Sequence, residues 1–268
     1  MSQDFINKVV IVTGASSGIG AATALMFAQR GAKVTLCGRD AGRLNETLEN
    51  CLKISGGQID RYLAITGNIT DRDTRKEIVE KTVQKFGQLD VLVANAATIE
   101  TRSILDETEE TFDAVMNTNV KATFFLIQNA IPHLVKSKGC IVTVSSIDST
   151  TAVPSEIVYS MSKAAVDHMT RNLALDLAPK GIRVNAINPT LVWTRIFRTS
   201  DQTEEVATYL ERCAAAHPLH GRASTAEEQA EVIVFLSSSA ARFVTGECIK
   251  VDGGATLIGV PFPDDKTN

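Results

Sequence analysis

Seven short apolar runs recur along the chain, and a longer stretch with helical periodicity follows most of them. The runs are KVVIVT, KVTLCG, DRYLAIT, LDVLVAN, GCIVTVSS, IRVNAIN and ECIKVDG. Nearly continuous apolar character is typical of strands that are covered on both faces, and parallel neighbours require crossover connections, usually helices. The alternation therefore predicts an α/β fold, in which one doubly wound parallel sheet of seven strands carries helices on both faces.

We expect a single domain, residues 1–268, because no internal repeat, low-complexity segment or flexible linker divides the chain. The least patterned region runs from about residue 191 to 224, follows the sixth strand, and mixes aromatic with polar residues. We interpret this region as a mobile substrate flap within the single domain.

Helical periodicity is clear in three of the stretches between the strands. They cover residues 18–31, 73–87 and 111–137. A glycine stands at or just after the end of each stretch, as helix-terminating glycines do, at Gly31, Gly87 and Gly139.

Charge and composition exclude several classes of partner. The formal net charge of -4 and the pI of 5.7 offer no general attraction to nucleic acid or to an anionic membrane surface. No run approaches the ~18 apolar residues of a membrane span, and the N-terminus has no signal or transit pattern. We therefore expect a cytoplasmic protein whose partner is a small molecule.

The cysteines and histidines do not form a recognisable metal or disulfide pattern. Five cysteines are scattered without a C-x-x-C pair, so neither a disulfide framework nor a metal site is expected, and a reducing compartment fits best. We expect surface or helix-packing roles for the histidines, which are His133, His168, His217 and His220.

The segment TGASSGIG, residues 13–20, directly follows the first strand and opens a helix. This is the context of a dinucleotide-binding turn in a Rossmann-like fold. Gly14 can make the tight turn, Gly18 lets the backbone approach a pyrophosphate, and Gly20 allows close packing of the helix. The free N–H groups and the dipole of the helix N-terminus favour phosphate. We predict a dinucleotide site here, rather than a tight turn alone.

The end of the second strand bears on the choice of dinucleotide. An acidic residue usually stands there to bind the adenosine ribose, whereas this chain has Gly38 followed by Arg39. A guanidinium can pair with a 2′-phosphate, and the Ser16 hydroxyl could add a hydrogen bond. The sequence thus favours NADP(H) over NAD(H). Asp40, one place later, keeps NAD(H) open as the alternative.

Tyr159 and Lys163 lie four residues apart in a helical pattern, so their side chains share one helix face. A nearby ammonium favours the phenolate and is expected to lower the tyrosine pKa, which would make the phenol a usable proton donor or acceptor. An amphipathic helix with a half-buried tyrosine would show the same spacing. However, the fifth strand ends thirteen residues earlier at Ser146, where a ligand crevice is expected.

Several short motifs occur in a family-specific order along nearly the whole chain, from about residue 8 to 254. They are TGASSGIG, NAA from Asn95, NTN ending at Asn119, VSS ending at Ser146, YSMSK, INP ending at Pro189, and VDGG around Asp252. In this order they resemble the short-chain dehydrogenase/reductase family. Together the motifs are highly specific, although each alone is short.

The resemblance implies catalytic roles for four residues. Tyr159 would be the general acid of carbonyl reduction or the base of alcohol oxidation, and Lys163 would lower its pKa and hold the nicotinamide ribose. Ser146 would hydrogen-bond the substrate oxygen, and Asn119 would position a water that links Lys163 to a proton relay. Ser145 is the competing serine, but the family spacing and strand alternation favour Ser146.

The resemblance also extends the set of expected cofactor contacts beyond the glycine turn. The full set is Gly14, Ser16, Ser17, Gly18, Ile19, Gly20, Arg39, Asn68, Ile69, Asn95, Ala96, Tyr159, Lys163, Pro189, Val192 and Thr194. Three positions depart from the usual family pattern. Ala97 replaces the glycine of N-A-G, Asn68 replaces an aspartate, and Thr190 replaces a glycine beside the nicotinamide and is expected to narrow the substrate entrance.

These residues favour an NADP(H)-dependent carbonyl reductase or secondary-alcohol dehydrogenase acting on an apolar or mixed substrate. The expected substrate-side residues are Ser146, Asp148, Pro154, Ile157, Trp193 and Phe197. Arg195 and Arg198 keep acyl-carrier-protein thioesters open. An NAD-dependent alcohol dehydrogenase is the enzymatic alternative, and a non-catalytic cofactor-sensing protein is the alternative from another class.

Family members commonly assemble as homotetramers through their long helices and the final strand. Residues 123–134 and 166–178 carry apolar side chains beyond one helical stripe, which is consistent with burial on two sides. The resemblance therefore implies a homotetramer.

Overall fold

The structure is a computed structural model that describes residues 4–198 and 204–258. Its sheet has seven strands, and every neighbouring pair is parallel. The strands are β1 (Val9–Thr13), β2 (Lys33–Gly38), β3 (Tyr62–Thr66), β4 (Val91–Ala94), β5 (Cys140–Val144), β6 (Arg183–Pro189) and β7 (Cys248–Val251). Each of the seven predicted strands is present, so the predicted fold class is confirmed.

Helices connect the strands throughout the described part of the chain. They are α1 (Gly18–Gln29), α2 (Ala41–Ile54), α3 (Arg72–Phe86), α4 (Glu109–Met116), α5 (Thr123–Ser137), α6 (Ile157–Leu177), α7 (Glu204–Ala215), α8 (Ala226–Ser237) and α9 (Ala255–Ile258). Among the described residues, no helix is both long and apolar enough to cross a bilayer.

The strand order across the sheet is β3-β2-β1-β4-β5-β6-β7. The chain therefore builds outward from β1 in one direction and then returns to build outward from β4 in the other. The crevice of a doubly wound sheet opens at this reversal, beyond the carboxyl ends of β1 and β4. The glycine turn after β1 lies at this point of the sheet.

Each face of the sheet has its own apolar core. Val10 and Val12 of β1 point into a core that includes Phe27 of α1, whereas Ile11 points into the opposite core with Leu126 of α5. This alternation explains why the strand is apolar at every position: both of its faces are buried.

Two regions differ in secondary structure from the sequence prediction. The predicted flap contains a 3-10 turn (Arg195–Arg198) and the twelve-residue helix α7, so much of it is helical. The predicted helical stretch 111–137 is divided into α4 and α5 by the π-helical segment Asn117–Ala122. π-helical turns are rare and occur frequently at functional sites.

The helix ends agree with the glycine prediction in two cases and correct it in the third. Gly31 follows the end of α1 with a φ of 93°. Gly87 ends α3 in the left-handed conformation, with φ 80°. At the end of α5 that conformation belongs to Lys138, with φ 49°, and not to Gly139. Gly139 serves close packing instead, because an added Cβ would collide with the Asp90 carbonyl and lie 2.9 Å from Leu134 Cδ2.

Candidate active site

A cavity of about 370 Å³ lies at the carboxyl ends of the strands, where the reversal of strand order opens the crevice. Most of the residues predicted from the sequence line it. They are Gly14, Ser16, Ser17, Gly18, Ile19, Arg39, Asn68, Ile69, Asn95, Ala96, Ser146, Asp148, Tyr159, Lys163, Pro189, Val192 and Thr194.

A few predicted residues lie elsewhere. Gly20 and Asn119 sit behind the cavity wall, and Trp193 is 55% exposed and does not line the cavity. Pro154 and Ile157 also lie outside the lining. The side chain of Phe197 lies outside the described part of the structure.

The glycine turn brings bare backbone to the cavity wall. Gly14 and Gly18 adopt positive φ angles of 68° and 54°, which side chains rarely tolerate. A Cβ on Gly14 would lie 2.6 Å from Asn95 Nδ2, and a Cβ on Gly18 would lie 2.7 Å from Thr194 Cγ2. A Cβ on Gly20 would collide with the Gly14 carbonyl oxygen, so Gly20 supports the turn from behind. The turn thus forms a cradle that needs glycine at each of these positions.

The wall at the end of β2 carries positive charge and a serine. Arg39 is exposed at the cavity edge, and Ser16 lies close to Gly38, where a Cβ would meet Ser16 Oγ at 3.1 Å. Arg43, which the sequence analysis missed, also lines the cavity, and its buried Nε has no partner among the described residues. A 2′-phosphate would supply the acceptor that this donor needs.

Asp40 is engaged in the local structure of helix α2. One carboxylate oxygen accepts a hydrogen bond from Arg43 N at 2.9 Å and so caps the helix, while the other lies 2.6 Å from Arg43 Nη1. The alternative in which Asp40 binds a ribose would compete with both contacts. The glycine cradle fits a dinucleotide, and at the wall beside it Arg43 Nε lacks a partner among the described residues while Asp40 is engaged.

The end of β4 is held against the end of β1. Thr13 Oγ1 accepts hydrogen bonds from Asn95 N at 3.0 Å and Ala96 N at 3.1 Å, and Asn95 Nδ2 donates to the Thr13 carbonyl at 2.8 Å. These bonds fix the wall opposite the glycine turn. Asn68 also lines the cavity, and its Oδ1 accepts a hydrogen bond from Thr70 N at 3.2 Å.

Helix α6 presents Tyr159 and Lys163 on one face, as their spacing predicts. The Lys163 ammonium lies 5.4 Å from the centre of the Tyr159 ring, and both residues are buried. Lys163 Nζ donates a hydrogen bond to the carbonyl oxygen of Val144 at 2.8 Å. The last residue of β5 therefore fixes the lysine beneath the cavity floor.

The pKa of Tyr159 shifts in the opposite direction to the one predicted. Burial raises it, the charges of Asp148 and Glu156 raise it further, and the Ser146 side chain only partly opposes them. Burial also lowers the pKa of Lys163 to about 8. The expected lowering of the tyrosine pKa by Lys163 is therefore wrong for this cavity, because burial and two carboxylates dominate. The phenol remains protonated at neutral pH.

The two serines after β5 have different partners. Ser146 Oγ donates to Asp148 Oδ2 at 2.8 Å and faces the cavity, as does Asp148 itself. Ser145 Oγ donates instead to the backbone carbonyl of Lys163 at 3.0 Å and is 2% exposed. The Ser145 hydroxyl thus attaches β5 to α6, while that of Ser146 is engaged by a side chain of the cavity. The preference for Ser146 as the substrate-binding serine stays a prediction.

Asn119 lies within the π-helical segment and is buried. Its Nδ2 donates to the Thr98 carbonyl and to Ser162 Oγ, each at 2.9 Å, and its Oδ1 accepts from Thr98 N at 2.9 Å. Ser162 precedes Lys163 in α6, so Asn119 connects the π segment to the helix that carries the tyrosine and the lysine. Its predicted link to Lys163 through water stays a prediction.

His217 has the helix-packing role that was one of the two expected for it, and it also lines the cavity wall. It is 5% exposed, and its Nδ1 lies 2.8 Å from the Cys213 carbonyl, which can only accept. Nδ1 therefore carries the proton, and Nε2 accepts from the Thr190 hydroxyl at 2.6 Å. The threonine that replaces the family glycine thus attaches the end of α7 to the loop after β6.

Other lining residues also escaped the sequence analysis. Glu156 immediately precedes α6, and Tyr209, Leu210 and Cys213 belong to α7. The three α7 residues recur at helical spacing, which could have predicted a helix with one face toward the cavity. Nothing in the local pattern around Glu156 distinguishes it from a solvated loop residue.

Comparison with known proteins gives consistent matches over almost the full chain. The family model described as enoyl-(acyl carrier protein) reductase matches residues 14–256. A 3-oxoacyl-(acyl-carrier-protein) reductase from Thermotoga maritima is 40% identical over 255 residues, which cover 93% of this chain and 98% of the relative. A glucose 1-dehydrogenase from Gluconobacter oxydans is 37% identical over 258 residues, which cover 95% of this chain and 94% of the relative.

A solved structure matches the fold closely. The crystal structure of a short-chain dehydrogenase/reductase of unknown function from Caenorhabditis elegans, with cofactor, superposes with a TM-score of 0.88 at 36% sequence identity. The match covers 95% of this chain and 97% of that chain.

Proposed function

Because this chain belongs to the short-chain dehydrogenase/reductase family, we propose that it is an NADP(H)-dependent carbonyl reductase or secondary-alcohol dehydrogenase. The family makes it an oxidoreductase that acts on CH–OH or C=O groups and binds NAD(P). The observation that carries the finer proposal is the cavity itself, in which Ser146 and Tyr159 face the same space as the glycine cradle.

The proposed chemistry divides between the cofactor and the chain. When bound, the nicotinamide dinucleotide supplies the hydride or accepts it. Tyr159 donates its phenolic proton to the carbonyl oxygen. Ser146 turns its hydroxyl from Asp148 to the same oxygen and donates a hydrogen bond as negative charge develops there. Lys163 holds its ammonium beneath the phenol and stabilises that charge. Since the phenol is protonated at neutral pH, Tyr159 is ready to act as the acid of carbonyl reduction.

The preference for NADP(H) is supported by the wall at the end of β2. Arg39 and Arg43 supply two guanidinium groups, and Ser16 a hydroxyl, around the position where a 2′-phosphate is expected. The alternative NAD-dependent reading relies on Asp40, which caps α2 and pairs with Arg43. A non-catalytic sensor would not require Ser146, Tyr159 and Lys163 together, so the reductase is the better proposal.

The cysteines bear on the cellular compartment of the protein, and the relatives bear on its substrate class. All five cysteines are free, which supports a reducing compartment such as the cytoplasm. The named relatives act on an acyl-carrier-protein thioester or on glucose, so we propose a small carbonyl or alcohol substrate with polar groups. Trp193 and Phe197 remain predicted substrate contacts.

The experiment that tests the proposal measures oxidation of reduced cofactor, by its loss of absorbance, against a panel of ketones, diketones, sugars and β-ketoacyl esters. We expect turnover with NADPH, and we expect Tyr159→Phe to lower kcat by about a hundredfold to ten-thousandfold, the range for loss of a general acid. NADPH binding, followed by its fluorescence, should persist in the variant. Equal turnover by wild type and Tyr159→Phe would overturn the assignment.

The same assay tests the cofactor preference. Arg39→Ala and Arg43→Ala should each reduce the ratio of kcat/KM for NADPH over NADH by about tenfold, the equivalent of one charged hydrogen bond. Arg72→Ala is a matched control, because Arg72 begins α3 and does not line the cavity. An unchanged ratio in both test variants would contradict the phosphate role of this wall.

A further inference from the structure

The substrate end of the cavity is walled by two carboxylates that the proposed proton transfer does not use. Asp148 lies in the 3-10 turn Ile147–Ser149 after β5, and Glu156 immediately precedes α6. Both line the same cavity as Ser146 and Tyr159. The charges of both act on the Tyr159 phenol, so a substrate whose oxygen reaches Tyr159 comes within range of the same two groups.

Asp148 is attached directly to the serine that faces the reacting oxygen. Ser146 Oγ donates to Asp148 Oδ2 at 2.8 Å, and Asp148 N donates to Ser146 Oγ at 3.2 Å. The other carboxylate oxygen, Oδ1, makes no hydrogen bond to any residue that the structure describes. A group bound to Asp148 would lie one hydrogen bond away from the oxygen that Ser146 holds.

Glu156 is a partly buried carboxyl group with no hydrogen bond or ion pair to the described residues. Burial and the charge of Asp148 raise the pKa of Glu156 to about 8. Glu156 is therefore mostly protonated at neutral pH and can donate a hydrogen bond. Burial raises the pKa of Asp148 too, but the Ser146 hydroxyl and the Lys163 charge oppose that shift, so Asp148 is the acceptor of the pair. The pair offers one donor and one acceptor.

This combination discriminates between substrate chemistries. A hydroxyl group both donates and accepts, so it can satisfy Asp148 and Glu156 together. A purely apolar substrate would leave two desolvated carboxyl groups without partners, and an anion would be repelled by Asp148. An ammonium group would pair with Asp148 but could not accept the proton of Glu156.

We propose that Asp148 and Glu156 select neutral substrates that carry a hydroxyl group next to the reacting carbon, such as hydroxyketones and vicinal diols. The proposal rests on the proposed function for the position of the reacting oxygen. Of the apolar or mixed substrates expected from the sequence, it favours the mixed ones.

The test compares four small ketones as substrates with NADPH: acetoin, butanone, aminoacetone and acetoacetate. Butanone lacks only the hydroxyl of acetoin, whereas the other two carry a cation and an anion. We expect kcat/KM for acetoin to exceed that for butanone by at least about tenfold, the equivalent of one hydrogen bond to a charged group. A preference for aminoacetone, or equal use of acetoin and butanone, would overturn the proposal.

Variants at the two carboxylates localise the effect. Glu156→Met and Asp148→Asn should each bring the acetoin-to-butanone ratio down by several-fold, whereas Glu156→Gln keeps a neutral donor and should retain most of it. Glu227→Met is the matched control, because Glu227 is an exposed carboxylate in the first turn of α8. A ratio that Glu156→Met and Asp148→Asn leave unchanged would show that these residues do not select the substrate.

A binding measurement separates this inference from the proposed function. Dissociation constants for acetoin and butanone can be measured from the fluorescence of NADPH bound to Tyr159→Phe, which removes turnover. If acetoin binds more tightly and Glu156→Met abolishes the difference, the selectivity stands even where the wild type turns over no ketone, and only the proposed function fails. Equal binding of both ketones overturns the selectivity.

Discussion

Lys163 carries its ammonium group in a position where only 2% of the residue is exposed, and this burial affects both stability and activity. Burial lowers its pKa from 10.5 to about 8, although the charges of Asp148 and Asp167 act in the opposite direction. Between these pH values the unfolded state binds more protons than the folded state. The contribution of Lys163 to stability therefore improves as the pH rises through this window.

The same titration predicts a limit to activity at alkaline pH. As the pH rises through about 8, Lys163 loses its proton, and with it the positive charge that stabilises the reacting oxygen. Tyr159 stays protonated in this range because its pKa is raised. We expect kcat/KM for ketone reduction to fall above about pH 8, measured as a pH profile with saturating NADPH.

Because Glu156 titrates in the same pH range as Lys163, two variants are needed to show which of the two groups causes the decline. Lys163→Arg keeps a positive charge at all accessible pH values and should move the decline to higher pH. Glu156→Gln removes the competing titration and should leave the decline in place. A decline that disappears in Glu156→Gln would assign it to the glutamate instead.

At the residue scale, sequence reasoning finds pairs within one regular helix and misses neighbours that irregular segments supply. The spacing of Tyr159 and Lys163, four residues apart on a helix, is sufficient to place them side by side. The direction of the Tyr159 pKa shift depends on Glu156 and Asp148, which reach the phenol only through the folded loops after β5. Electrostatics of this kind depend on burial, and burial is a property of the tertiary structure.

At the scale of elements, helix α7 forms one side of the cavity. Two consecutive hydrogen bonds attach its end to the loop after β6. The Thr190 hydroxyl donates to His217 Nε2, and His217 Nδ1 donates to the Cys213 carbonyl near the end of the helix. Thr190 and His217 are both buried, so solvent is a poor substitute for either partner. Tyr209 of the same helix lines the cavity.

We predict that breaking this attachment affects stability and substrate binding together. His217→Leu should lower the free energy of unfolding by about 1–3 kcal/mol, because it leaves the Thr190 hydroxyl and the Cys213 carbonyl without their partner. It should also raise KM for the ketone more than KM for NADPH, since α7 lines the substrate end. Thermal unfolding and steady-state kinetics measure the two effects.

A double-mutant cycle with Thr190→Val distinguishes this bond from general packing. Because the two side chains share one hydrogen bond, the double variant should be less destabilised than the sum of the single variants. Strictly additive effects would mean that each side chain acts independently, contrary to the prediction.

The elements themselves were predictable to different degrees for physical reasons. The strands are short, apolar and covered on both faces, so each is visible in the sequence. The π segment around Asn119 is invisible because it has the same apolar periodicity as the flanking helices. At the end of α5, Lys138 and not Gly139 takes the left-handed conformation, since the glycine is needed where the chain meets Asp90.

At the scale of the whole molecule, the alternation of strands and helices predicts one doubly wound sheet, but it does not reveal what covers the outer helices. Large apolar side chains remain exposed on two regions of the protomer. One region comprises Phe112, Phe124, Phe125 and Met161 on α4 to α6, and the other comprises Leu175, Phe235, Phe243 and Leu257. Exposed apolar patches of this kind commonly mark interfaces between proteins.

These two regions support the homotetramer implied by the family resemblance, which stays a prediction. We expect light scattering to give a mass near four times the 28.8 kDa of one chain. Leu175 and Phe243 are 79% and 101% exposed in the protomer, so Leu175→Glu and Phe243→Glu should leave its fold intact but place charges in an interface. The combined variant should therefore form a smaller assembly with an unchanged circular dichroism spectrum.

Ile59→Glu is the control, because Ile59 precedes β3 at one edge of the sheet and lies outside both regions. A wild-type monomer at micromolar concentration would contradict the prediction, and so would a tetramer that tolerates both charges.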